Sequence, residues 1–88
     1  MSSPTRNPTH VFVTQMIRMR RERGWSVRRL AEACAEVGAP ALTRATLSKL
    51  ECGVRRFITL DEACAVATSL GAPLTRMLED HNPEKEVS

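Results

Sequence analysis

Residues 43–53, TRATLSKLECG, leave the centre of the chain little freedom. Thr43 is a strong N-cap, because its hydroxyl can accept from one of the unpaired amides at a helix start. Leu47 and Leu50 stand three apart, and Leu42 lies just before the cap, so three apolar side chains can share one core-facing seam. Gly53 sits where a helix stops, since glycine enters the left-handed region without steric cost. The result is a helix of two to three turns. Its other face carries Arg44, Ala45, Ser48 and Lys49, and its single acid, Glu51, stands at the end. A short capped helix with one apolar seam and one basic, small-residue face suits a DNA major groove. The same pattern also describes an amphipathic helix with a solvated basic face, so its neighbours have to decide between the two.

The flanking segments repeat this punctuation. Residues 1–8 hold two prolines and no apolar pattern beyond the first Met, which predicts a disordered arm. Thr9 is the expected cap of a first helix running to Arg23, with Phe12, Met16 and Met19 on its seam and Val13 and Ile17 widening it. Arg18, Arg20, Arg21 and Arg23 fall in its last turns, where cations suit the helix dipole. Ser26 caps a second helix whose seam is Leu30, Ala31 and Cys34, flanked by Val27 and Val37. Arg28 and Arg29 occupy its first turns, the unfavourable end for a cation. A bound anion such as phosphate would explain them.

Gly38 to Ala41 break that helix. After Gly53, the loop brings Arg55 and Arg56, and either Phe57 or Ile58 is expected to enter the core. Thr59 with Glu62 spells a capping box, followed by Leu60, Ala63, Val66, Ala67 and Leu70 at helical spacing. Gly71 and Pro73 lead into a short fifth helix with Leu74, Met77 and Leu78 inward. Residues 81–88 read as a flexible tail, which leaves 9–80 as one folded domain. The predicted class is all-α: a compact five-helix bundle with a tight helix pair, a helix-turn-helix, at its centre.

Charge is distributed unevenly. Residues 1–58 carry eleven Lys/Arg against four Asp/Glu, a net +7, and residues 59–88 carry two against six, a net −4. A basic two-thirds and an acidic third predict one side facing a polyanion and one turned away from it. No apolar run approaches the roughly 20 residues that span a membrane. The first residues do not read as a secretory signal, so a cytoplasmic, nucleoid-associated protein is expected. Cys34, Cys52 and Cys64 form no C-x-x-C pair, and His10 and His81 are distant from them, so neither a metal site nor a cofactor is expected. Cys34 and Cys64 are expected to be small buried apolar groups, with Cys52 partly exposed at a helix end. No Cys-His, Ser-His-Asp or paired-carboxylate constellation suggests catalysis.

RERGWSVRRLAEAC, LTRATLSKLECGVRR and ITLDEACAVATSLGAPLTRML together resemble the lambda-repressor-like helix-turn-helix family of the xenobiotic-response-element type. The resemblance covers residues 12–79. It implies a five-helix bundle in which the second and third helices meet double-stranded DNA. Ser26, Val27 and Arg28 match the helix start that meets phosphate. Thr43, Arg44, Ala45 and Lys49 match the residues that reach phosphate and base edges, with Thr46 and Ser48 flanking them. Arg55 and Arg56 match the loop along the backbone. Arg20 and Glu51 match a structural pair linking the first and third helices.

Two departures stand out. The family often has Gln where this chain has Val27, so that contact is lost. Eight residues separate Cys34 from Thr43, where the common pattern has a couple, so the second helix runs longer, the turn is wider, or both.

The resemblance implies a small transcriptional regulator, a repressor above all, that works by operator occupancy. One reading helix per chain favours a homodimer on half-sites about 34 Å apart. The fourth and fifth helices are its expected interface, with Leu74, Met77 or Val66 as the apolar part. The alternatives are an antitoxin with a toxin partner, or a regulator that acts through other proteins.

Overall fold

The computed structural model describes residues 7–79, which form five helices and no strand: α1 (Pro8–Glu22), α2 (Val27–Glu36), α3 (Arg44–Glu51), α4 (Leu60–Leu70) and α5 (Leu74–Met77). The expected arm and tail lie outside the described residues except for Asn7 and Pro8, which belong to the start of α1.

That start lies earlier than Thr9. Asn7 is the cap, its Oδ1 accepting from the Thr9 amide at 2.8 Å, and Pro8 follows at the first helical position. Proline suits that position because its fixed φ is already helical and its missing N–H would have no partner there. α1 buries Val11, Phe12, Met16 and Met19 along one stripe. Two polar residues are buried with them, Gln15 and Arg20.

Ser26 opens α2, with its Oγ accepting from the Arg29 amide at 3.0 Å. Leu30 and Cys34 are fully buried, and Ala31 is half-buried. The extra residues after Cys34 are shared between helix and turn: two extend α2 to Glu36, and the six at 37–42 make a wide turn. The Gly38 amide donates to Ala35 O and the Ala39 amide to Cys34 O, closing α2 with the doubled bonds of a Schellman motif. Gly38 takes φ +98°, a region open to glycine and strained for other residues. Val37, expected beside the buried seam, is the exposed C-cap instead. Leu42 plugs the far end of the turn into the core.

Thr43 caps α3 through its hydroxyl, which accepts from the Thr46 amide at 3.2 Å, and Leu47 and Leu50 are buried beneath. In the loop after α3, Ile58 packs against the core and Phe57 stays 60% exposed. α4 opens on the complete capping box: Thr59 N–H to Glu62 Oε1 at 3.0 Å and Glu62 N–H to Thr59 Oγ1 at 3.1 Å.

Three expectations at the C-terminal end fail. Leu60 is 70% exposed, because the first residue of α4 precedes its contact with the bundle. Cys64 is exposed, since it follows Ala63 on the helix and turns away from the Ala63–Val66–Ala67–Leu70 stripe. Leu78 is 48% exposed, because α5 ends after one turn and Leu78 is its C-cap. Met77 is fully buried and Leu74 partly so.

α1 packs on α3, α4 and α5. α2 packs on α3 and α4, and α4 packs on α5. One continuous core joins residues of all five helices, from Phe12 through Leu30, Leu47 and Val66 to Met77. Burying each leucine or phenylalanine contributes about 1.5–3 kcal/mol. The two core leucines of α3 therefore dock a helix too short to hold together alone in water.

Candidate nucleic-acid interface

Docking of Leu47 and Leu50 decides which α3 side chains face water. At 3.6 residues per turn, Ala45, Ser48 and Lys49 lie opposite that pair, with Arg44 on the flank. Arg44, Ala45 and Lys49 are exposed, and Ser48 and Thr46 are half-buried. Neither Arg44 nor Lys49 is in a salt bridge with any carboxylate among the described residues. The Thr43 and Thr46 hydroxyls lie 3.2 Å apart, so both belong to the helix cap.

The end of α3 is fixed by a second device. Arg20 donates to both Glu51 oxygens, Nε to Oε2 and Nη2 to Oε1, each at 2.9 Å. Its Nη1 donates to Trp25 O at 2.8 Å. The two side chains are only 11% and 14% exposed. A bidentate arginine–carboxylate pair is among the more directional contacts available to side chains. This one ties α3 to α1 and to the turn before α2. The cationic outer face of α3 thus sits on a helix held at both ends.

At the start of α2, Ser26 spends its oxygen on the cap, and Arg28 lies 76% exposed with only a 3.7 Å contact to Glu32. Such a pair contributes under about 1 kcal/mol and leaves Arg28 free to meet an anion. Arg29 is different. Its guanidinium lies 4.7 Å from the centre of the Trp25 ring, and Arg23 approaches the same ring at 5.8 Å. Arg23 also donates to the carbonyls of Met19 and Leu70, closing the ends of α1 and α4. These arginines brace the turn between α1 and α2. The four-residue spacing between Trp25 and Arg29 is the sequence signal for this contact.

The loop pair Arg55–Arg56 splits. Arg55 is not a free cation. Its Nη2 donates to Glu62 Oε2 at 3.1 Å, and its Nη1, buried and without an aligned hydrogen bond, lies 3.1 Å from Oε1. The guanidinium also covers the Phe57 ring at 4.4 Å. Burial pushes the Glu62 carboxyl up, but the Thr59 amide, the Arg55 guanidinium and the Thr59 hydroxyl outweigh it and hold the group below its ordinary value. Arg55 is therefore a loop brace, and the expectation of a phosphate contact there moves to Arg56, which is exposed and in no salt bridge among the described residues. The sequence held a signal for this, because Arg55 precedes a capping-box glutamate whose position is already fixed.

Another polar device has no local signal in the sequence. Gln15, buried in α1, donates through Nε2 to Glu79 O at 2.7 Å and accepts from Arg18 at its Oε1. It ties the segment after α5 to α1.

Among the described residues no three His, Cys, Asp or Glu side chains gather as a metal site would require. No helix there is long and apolar enough to cross a membrane. Comparison of the chain with protein-family models, curated proteins and solved structures gives no match.

Proposed function

We propose that this chain is a small helix-turn-helix regulator that binds double-stranded DNA sequence-specifically, with α2 and α3 as the helix pair and α3 in the major groove. The observation that carries this reading is the outer face of α3. Arg44 and Lys49 are exposed and free of salt bridges among the described residues, and they flank Ala45 on a helix fixed by two core leucines and the Arg20–Glu51 pair. Arginine and lysine there can donate to guanine O6 and N7, and Ala45 can touch a thymine methyl. Arg28 and Arg56 neutralise phosphates, which releases counterions and makes binding salt-sensitive. The protein works in the cytoplasm by occupying an operator, as a repressor, and needs no cofactor.

Two copies bind together, each offering one reading helix. Val66 and Met77 are fully buried and cannot form the interface. An apolar surface on these helices is a groove where α4 and α5 meet the start of α1, lined by the exposed Leu60 and Leu78 and by the half-buried Leu74. The same surface favours a second reading, in which a protein partner such as a toxin covers it.

Selection of bound sequences from a random duplex library tests the proposal. A single enriched motif, bound with steep salt dependence, is expected. Recovery of unenriched DNA, or binding indifferent to salt, overturns it.

A further inference from the structure

A groove of about 430 Å³ separates the first half of α1 from the end of α3 and the loop beyond it. Its volume falls within the roughly 300–1,000 Å³ of small-molecule sites. Val13, Ile17 and Leu50 line it with apolar surface, and Arg56, His10 and Cys52 are exposed on its rim. Charge decides what fits. Three residues of the lining carry a full charge: Glu51, Arg55 and Arg56. Glu51 is neutralised by Arg20 and Arg55 by Glu62. Arg56 is in no salt bridge among the described residues. Among the described residues the groove therefore offers an apolar wall and one uncompensated cation, and a guanidinium matches a carboxylate in a planar, bidentate fashion.

We infer that this groove binds a small monocarboxylate with an apolar body, the carboxylate on Arg56 and the body against Val13 and Ile17. The Cys52 and Gly53 backbone that closes α3 forms part of the wall, so the ligand touches the end of the DNA-facing helix. Ligand and DNA would compete for Arg56. That competition rests on the DNA-binding reading, whereas the binding itself does not and is measured without DNA.

The test is a titration of the full chain, followed by amide and methyl NMR, with 4-phenylbutyrate and with uncharged 4-phenylbutanol of the same shape. Saturable shifts at the Val13 and Ile17 methyls and the Cys52 and Gly53 amides are expected with the acid, at least fivefold tighter than with the alcohol. R56A should erase that preference and leave alcohol binding as it was. Thr14→Trp should abolish both, because Thr14 is an exposed residue of the groove wall whose replacement fills the space without disturbing the core. Equal affinity for acid and alcohol, an acid preference that survives R56A, or shifts that map elsewhere on the molecule would each overturn the assignment.

Discussion

Arg44, Arg55 and Arg56 carry the same charge within thirteen residues of sequence and face three different surroundings. Arg44 is exposed on α3, so Arg44→Ala should cost about 1–3 kcal/mol on the best DNA sequence, relax preference at one base pair and leave random DNA almost unchanged. Equal weakening on both would make Arg44 a phosphate clamp and leave Lys49 as the reader. Arg56→Ala should weaken every sequence alike and flatten log affinity against log salt by about one unit. Arg55→Ala should leave that slope alone and destabilise the fold by about 1.5 kcal/mol, since it strips a charged hydrogen bond from Glu62. The Glu62 carboxyl is held below its ordinary value of 4.5, so its share of stability is present above that pH and is lost as pH falls through the lowered value. A carbon-detected titration should show a Glu62 midpoint below 4.5 that rises in Arg55→Ala.

Among the elements, α3 depends most on its attachments. It has eight residues, two buried leucines and the Glu51 clamp. Glu51→Ala strands Arg20 in a nearly dry site and should cost about 3–5 kcal/mol in a denaturant titration. Replacing the pair by Met and Leu should recover most of the loss, because well-packed apolar residues substitute for buried ion pairs at little net cost. A midpoint that barely moves in Glu51→Ala would mean that α3 is held by its leucines alone. The wide turn before α3 has its own weak point. A methyl at Gly38 meets nothing within 4 Å, so Gly38→Ala tests backbone strain alone. It should cost about 1–2 kcal/mol, or roughly 4–8 °C in Tm for each kcal/mol.

For the molecule as a whole, the arrangement of apolar surface matters more than its amount. Monomeric proteins seldom leave large side chains together in the open without a partner. Leu60 and Leu78 flank one groove that is lined, among the described residues, by no charged side chain. A neutral patch can meet its own copy across a two-fold axis without like-charge repulsion. Leu60→Glu should therefore shift sedimentation from dimer to monomer while Tm stays within a few degrees, because the side chain contributes little to the core. A wild-type chain that stays monomeric on specific DNA would remove the two-copy arrangement and leave the surface to another protein.

Local chemistry was legible along the chain. Caps at Ser26, Thr43 and Thr59, the closing turn at Gly38 and the seam of Leu30, Leu47 and Leu50 all follow from periodicity and from hydrogen bonds within a few residues. These depend on neighbours in sequence, so sequence alone determines them. It also marked Arg44, Ala45 and Lys49 as the exposed side of a short helix, because the apolar seam leaves them no other direction. Only the tertiary structure decided which cations are free. Arg55 and Arg56 both lie within seven residues of Glu62, and Arg28 and Arg29 are both close to Trp25 in sequence, yet only Arg55 and Arg29 make the contact, because spacing along the chain does not rank such partners. It likewise decided that Leu60, Cys64 and Leu78 face water while Val66 and Met77 do not. Helical periodicity gives each helix an apolar side, but where a neighbouring helix begins and ends determines how much of that side is covered.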